Sequence, residues 1–137
     1  MLMGIGAAVF ALAASAGAQT SILRMEILFQ FIAGDQVMPA GQYVVRIDEG
    51  FRRVQFDSLE GGRTHVAPLS TKMSERKISL AELGTLQFQA YGEHYVLRAV
   101  WRPGETEGHN LIPSKTEREL AQRYSPAEVA NVLLKAK

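Results

Sequence analysis

The sequence predicts a mainly β domain of α+β type. The expected architecture is an antiparallel sheet curled into a sandwich or an open barrel, followed by two short C-terminal helices. Three observations carry this. Met25, Ile27, Phe29 and Phe31 share one parity against mostly polar neighbours, the period of a half-buried strand. Residues 85–91 and 94–101 are two β-rich runs joined by Gly92-Glu93, which reads as a hairpin. The strongest helix signals come after residue 112, so strands precede helices rather than alternating with them.

The chain has 137 residues, and residues 1–23 carry no charge. Ala16-Gly17-Ala18 follows a run of apolar and small residues, as at the cleavage site of a secretory signal peptide. Residues 1–18 are therefore expected to be a signal peptide, with a mature chain beginning at Gln19. No Lys or Arg precedes the apolar run, which a true start lying further upstream would explain. The alternative is an uncleaved membrane anchor, for which the Ala and Gly content is poor.

The elements then follow in order. Residues 24–32 read as one strand with a core face. Leu28 and Ile32 make its second face partly apolar, so it is expected to be central rather than at an edge. The stretch 29–45 organises the chain: alternating aromatics, a Gly34-Asp35 turn, a Met38-Pro39-Ala40-Gly41 corner and a second strand over 43–47. Gly50 turns the chain into a third strand ending at Ser58, with Val54 and Phe56 on one face. Glu60-Gly61-Gly62 turns it into a fourth over 63–69, ended by Pro68. Ser79-Leu80-Ala81-Glu82 fits a capping box for a single helical turn before Gly84. Residues 85–91 and 94–101 are the fifth and sixth strands, and 102–112 is a loop. Ser114 and Glu117 form a capping box for a helix to about Tyr124. Ser125, Pro126 and Glu128 start a second helix, with Val129, Val132 and Leu133 as its apolar stripe. The domain reading is a β domain over 19–112 and a helical segment over 113–137 packed on it. Six short strands argue against a transmembrane barrel, which needs at least eight of about nine to eleven residues.

Composition excludes several functions. Fifteen basic and fourteen acidic side chains leave a net charge of +1, with no electrostatic footprint for nucleic acid. There is no cysteine, which removes disulfides, thiolate metal sites and cysteine nucleophiles.

Phe29-Gln30-Phe31, Gly34, Met38-Pro39-Ala40-Gly41 and Tyr43-Val44-Val45 resemble a pattern in small exported bacterial proteins, many of them acidobacterial. That pattern is Phe-x-Phe, Gly, Leu-Pro-Ala-Gly-x-Tyr-x-Val. Tyr91-Gly92-Glu93-x-Tyr95, Trp101 and the run Ser114-Lys115-x-Glu117-Arg118-Glu119-Leu120 match it too. Met38 in place of Leu and a longer polar stretch over 70–84 depart from it. The resemblance implies a signal peptide and a β-rich fold. It brings no activity and no catalytic residues.

Tyr91, Tyr95, Trp101 and Arg102 cluster around one hairpin in the sequence. As a ligand-binding set they would stack a sugar ring or flat ligand. The plainer reading is an aromatic core edge with Arg102 lying across Trp101. His65, His94 and His109 show no close metal-ligand spacing. Glu105, Glu107 and His109 alternate in the predicted loop and would hold a cation only loosely. No nucleophile elbow or phosphate loop is present, so no catalytic residue, metal or cofactor is expected. The stripe at Val129, Val132 and Leu133 either covers the sheet or offers a helix to a protein partner.

The expectation is thus an exported, non-enzymatic structural or binding domain of the periplasm or cell surface, without stable membrane insertion once the signal is removed. The alternative is a carrier of a small apolar ligand, with Phe29, Phe31, Phe56 and Phe88 lining the cavity. A small hydrolase or metal-dependent enzyme using His65 or His94 comes third.

Overall fold

The structure is a computed structural model that describes residues 20–76, 83–125 and 129–135. It is mainly β. Its strands are β1 (Thr20–Ile27), β2 (Phe31–Ala33), β3 (Gln36–Met38), β4 (Gly41–Asp48), β5 (Arg53–Ser58), β6 (Thr64–Glu75), β7 (Thr85–Tyr91), β8 (His94–Trp101), β9 (Glu107–Leu111) and β10 (Val129–Lys135). The helix α1 (Lys115–Arg123) stands between β9 and β10.

The strands form one open sheet. Its order is β1-β4-β5-β6-β9-β8-β2-β3, with β7 also on β8 and β10 on β7. Every pair is antiparallel except β2 on β8, which is parallel through Phe31↔Tyr95 and Ile32↔Val96. Strand β6 joins the two halves. Its first part pairs with β5 from Thr64 to Pro68, and its second part pairs with β9 from Leu69 onward.

The core follows from the alternation. Leu23, Met25 and Ile27 of β1 face inward beside Val45, Tyr43 and the start of β4. Val54 and Phe56 of β5 continue that face opposite Ile47 and Val45. Phe31 sits at the centre, 5.4 Å from the Phe56 ring, 5.6 Å from Phe88 and 5.5 Å from Tyr43, centroid to centroid. Burying each such ring contributes about 1.5–3 kcal/mol, and the edge-on contacts add to that. A smaller cluster of Ile32, Tyr91, Val96 and Leu120 lies under α1.

The Pro-Ala-Gly-x-Tyr stretch closes on itself. The Tyr43 hydroxyl donates to the Pro39 carbonyl four residues back, pinning the corner between β3 and β4. Gly34-Asp35 turns β2 into β3 as expected, with Ala33 opposite Gln36. The hairpin of β7 and β8 has the expected bounds, and its turn glycine, Gly92, has φ +62°. Ser114 caps α1 by accepting from the Glu117 N–H at 3.1 Å, so this helix also stands where the sequence put it.

Several expectations are corrected. The run 24–32 is two strands. Leu28 is 74% exposed, and the chain leaves the β4 ladder there so that β2 can pair with β8. Strand β1 has one partner among the described residues and lies at an edge rather than in the centre. Pro68 does not end the fourth strand. It sits where β6 changes partner, with Leu69 N–H donating to Arg52 O and Ile112 N–H donating to Pro68 O, a place that tolerates a missing donor. The supposed loop over 102–112 contains β9, because both β6 and β8 supply it with ladder partners.

The largest correction is at the C-terminal side. The second helix is absent where its stripe was expected. Val129–Lys135 is β10, paired antiparallel with β7 from Val129↔Tyr91 to Lys135↔Thr85. Val132 and Leu134 pack on the core while Leu133 is exposed, a period of two rather than 3.6. The open edge of β7 offers seven ladder positions, and that pairing overrides the local helix signal. A partner helix built on Val129, Val132 and Leu133 is therefore withdrawn. With ten strands in place of six, the strand-count argument against a barrel also falls away. The predicted helical turn at 79–82 lies outside the described residues.

Candidate functional site

Tyr91, Tyr95, Trp101 and Arg102 do not converge. β8 separates them end to end, and the pleat separates them face to face. Tyr91 lies on the face under α1, 5% exposed. Its hydroxyl is 2.8 Å from Gln89 Oε1 and 3.3 Å from Glu117 Oε2. Tyr95 turns to the core and stacks on Phe29 at 4.1 Å between centroids. Trp101 is buried at the other end of β8, where its indole N–H donates to Thr106 O at 3.3 Å. Its ring rests on Gly108 of β9, where an added Cβ would come within 2.4 Å. The guanidinium beside that ring, 5.7 Å from its centroid, belongs to Arg76.

Arg102 instead enters an ionic cluster at the β8–β9 end. It pairs with Glu49 at 2.9 Å and with Glu105, while His109 Nε2 meets the other Glu49 oxygen at 3.0 Å. The hydrogen bonds that Arg102 donates to Glu105, and then the charges of Glu105 and Glu49, raise the Arg102 pKa against the opposing pull of burial. Arg76 is tied to backbone carbonyls: Nε donates to Glu105 O at 2.8 Å, and Nη atoms donate to Leu83 O at 2.9 Å and Arg102 O at 3.1 Å. Burial lowers its pKa. This cluster staples the start of β7, the end of β8 and the loop before β9 into one unit.

A second ionic contact sits under α1. β8 carries a bulge: Gln87 pairs with Ala99 and Phe88 with Leu97, leaving Arg98 as the extra residue. The bulge aims Arg98 at the helix, where its Nη1 lies 3.2 Å from the buried Glu117 carboxylate. Burial first, then the Glu117 charge, push the Tyr91 hydroxyl pKa above its ordinary value. Glu117, Arg98, Glu49 and Arg76 were missed as a set from sequence. Only Glu117 carried a signal, as the third residue of a capping box, and that signal concerned the helix start.

The histidines are in three places. His65 Nε2 lies 2.7 Å from Ala33 O. His94 is exposed, edge-on to Tyr124 at 6.5 Å. His109 holds Glu49. Among the described residues no three His, Asp or Glu side chains gather as a metal site, and Glu105 is engaged by Arg102 rather than grouped with Glu107 and His109. Asp57 is held by Arg46 at 3.1 Å, Gln55 at 3.0 Å and Thr64 at 2.8 Å. Desolvation raises its pKa, but those hydrogen bonds and the Arg46 charge outweigh it and hold the carboxyl below the usual range.

The rings that would line a carrier's interior contact one another: Phe29 meets Phe88 at 5.1 Å, and Phe31 bridges Phe56 and Phe88. Outside the core, a groove of about 290 Å³ runs between α1, the β2–β3 hairpin and the β7–β8 turn. Ile32, Val37 and Leu120 give it an apolar floor, with His94, Glu119 and Arg123 on its rim. No helix among the described residues is long and apolar enough to cross a membrane.

Compared with protein-family models, with curated proteins and with solved structures, the chain matches none of them.

Proposed function

We propose that this chain is an exported domain of the periplasm or cell surface that works by binding or by structure rather than by catalysis. The observation that carries the reading is how the ionisable groups are used. Glu117, Glu49 and Asp57 each hold a guanidinium of the fold, and their contacts tie α1 to β8, the β4–β5 turn to β8 and β9, and β4 to β5. A general base needs a carboxylate or imidazole facing a substrate cavity; these three carboxylates each face a guanidinium instead. The uncharged leader ending in Ala-Gly-Ala supports export, and the resemblance to small exported β proteins agrees with it.

Of the two expected curls we favour the sandwich. Leu23 of β1 lies against Gly84, just before β7, and Phe31 spans from β5 to β7. Both contacts suit two half-sheets facing across one aromatic layer.

A second reading, a carrier for a small apolar ligand, rests on the groove beside α1 rather than on the filled interior. At about 290 Å³ it lies at the small end of ligand sites.

Native mass spectrometry of the full-length chain, expressed in a bacterium and recovered from the envelope, tests both. The expected species begins at Gln19 and carries no small-molecule mass. A discrete mass released on denaturation overturns the first reading in favour of the carrier. An intact Met1 in the membrane fraction overturns cleavage and favours the anchor.

A further inference from the structure

Strand β1 is an eight-residue edge. It pairs with β4 without a register shift and contains neither Pro nor Gly. No other described strand pairs with it. Edges of this length are normally blunted by a bulge, a proline, an inward charge or charged side chains; of these β1 has only Arg24 and Glu26, which are of opposite sign. Its outward side chains are Ile22, Arg24, Glu26 and, just past its end, Leu28. All four are exposed, Ile22 by 59% and Leu28 by 74%. A groove of about 430 Å³ lined by Arg24, Glu26, Leu28, Gln42 and Lys135 runs beside it.

We propose that two copies of this chain pair through β1, antiparallel about a two-fold axis, to form one continuous sheet. The outward residues of β1 are self-complementary in one register. When Met25 faces Met25 of the second copy, Arg24 lies opposite Glu26 of that copy and Glu26 opposite its Arg24. In the same register Ile22 lies opposite Leu28 at both ends. The inward face then sets Leu23 opposite Ile27, so both faces match.

The alternatives lose the charge pairing, oppose like charges or break the pleat; a centre at Leu23 or Ile27 sets Arg24 and Glu26 opposite uncharged residues. Moving the centre to Arg24 or to Glu26 places like charges directly opposite, which is destabilising. A centre between residues would exchange the core face for the solvent face. Other edges do not compete. β10 exposes Leu133 and Lys135 on the face away from the core and contains no acidic residue to pair with Lys135, and β3 is three residues long and runs into Pro39. An isologous contact of this kind closes as a dimer and leaves no further β1 edge open. The inference stands whether or not the chain is exported, because it uses only β1 and its flank.

Sedimentation equilibrium of the full chain over a concentration series tests it. A monomer–dimer equilibrium is expected. Each single swap, Arg24→Glu or Glu26→Arg, turns two attractive pairs into two repulsive ones and should weaken the dimer by about tenfold or more. The double swap restores opposite charges and should return Kd to within about threefold of the parent. Both positions are exposed, so the monomer's thermal unfolding should not move. A monomer throughout the series overturns the proposal. So does a dimer indifferent to the single swaps, or a double swap no tighter than either single.

Discussion

Arg98 and Glu117 meet at 3.2 Å across the interface between β8 and α1, one from a bulge and the other from the buried face of the helix. The two partners are not equivalent: the Glu117 side chain is 6% exposed and that of Arg98 is 35%. Removing the acid leaves a guanidinium that water can reach. Removing the base leaves a buried carboxylate with the Tyr91 hydroxyl beside it. Arg98→Met should therefore cost more than Glu117→Gln, about 2–4 kcal/mol against about 1–2 kcal/mol. Urea unfolding of both variants at neutral pH measures the order, and equal costs would contradict the asymmetry.

Gly108 should not tolerate a methyl group. A Cβ there would stand 2.4 Å from the Trp101 ring, and the indole is fixed by its hydrogen bond to Thr106 O and by Arg76. Gly108→Ala should cost about 1–3 kcal/mol from overpacking. Near-ultraviolet circular dichroism of Trp101, the chain's one tryptophan, should change with it.

Acid should reveal Asp57. Its carboxyl is held below the ordinary aspartate value of 3.8, so it favours the folded state above that pH. The contribution is lost as pH falls through the lower, folded value. Asp57→Asn should thus be less stable than the parent at neutral pH, and the gap should narrow below about pH 3.8. Thermal melts of both proteins across that range give the comparison. A gap that does not change with pH would place the effect elsewhere than in ionisation.

The two sides of β10 should differ. Val132 and Leu134 pack against the core, and Leu133 is 48% exposed. Alanine at Val132 or Leu134 should cost about 1–3 kcal/mol, and at Leu133 under about 0.5 kcal/mol. A helical stripe would make Leu133 as costly as Val132, so the three melting temperatures separate the two structures.

Alternation and turn chemistry made much of the sheet legible. Met25 and Ile27, and likewise Val54 and Phe56, were set on one face by parity alone, and Gly92-Glu93 gave the hairpin its bounds. Local capping placed α1 through Ser114. What stayed hidden depends on partners distant in sequence. β9 looks like a polar loop until β6 and β8 flank it. Val129, Val132 and Leu133 fit a helical spacing while Val132 and Leu134 fit a strand alternation, and the open edge of β7 decides between them. The ionic clusters were illegible for the same reason. Glu49 and His109 are sixty residues apart, and a bulge, which no residue type announces, turns Arg98 toward Glu117. The three aromatics Tyr91, Tyr95 and Trp101 and the arginine Arg102 were close in sequence, but adjacency along a hairpin does not bring side chains to one place.

The pairing of β10 with β7 also bears on the timing of folding. Tyr91 waits for Val129, 38 residues later, and Thr85 waits for Lys135, 50 residues later (129 − 91 and 135 − 85). A chain emerging N-terminus first, from a ribosome or through a translocation channel, therefore lacks a flank of its hairpin until those residues appear. Until then Val132 and Leu134 have not covered the core, and the outer edge of β7 stays without its ladder partner.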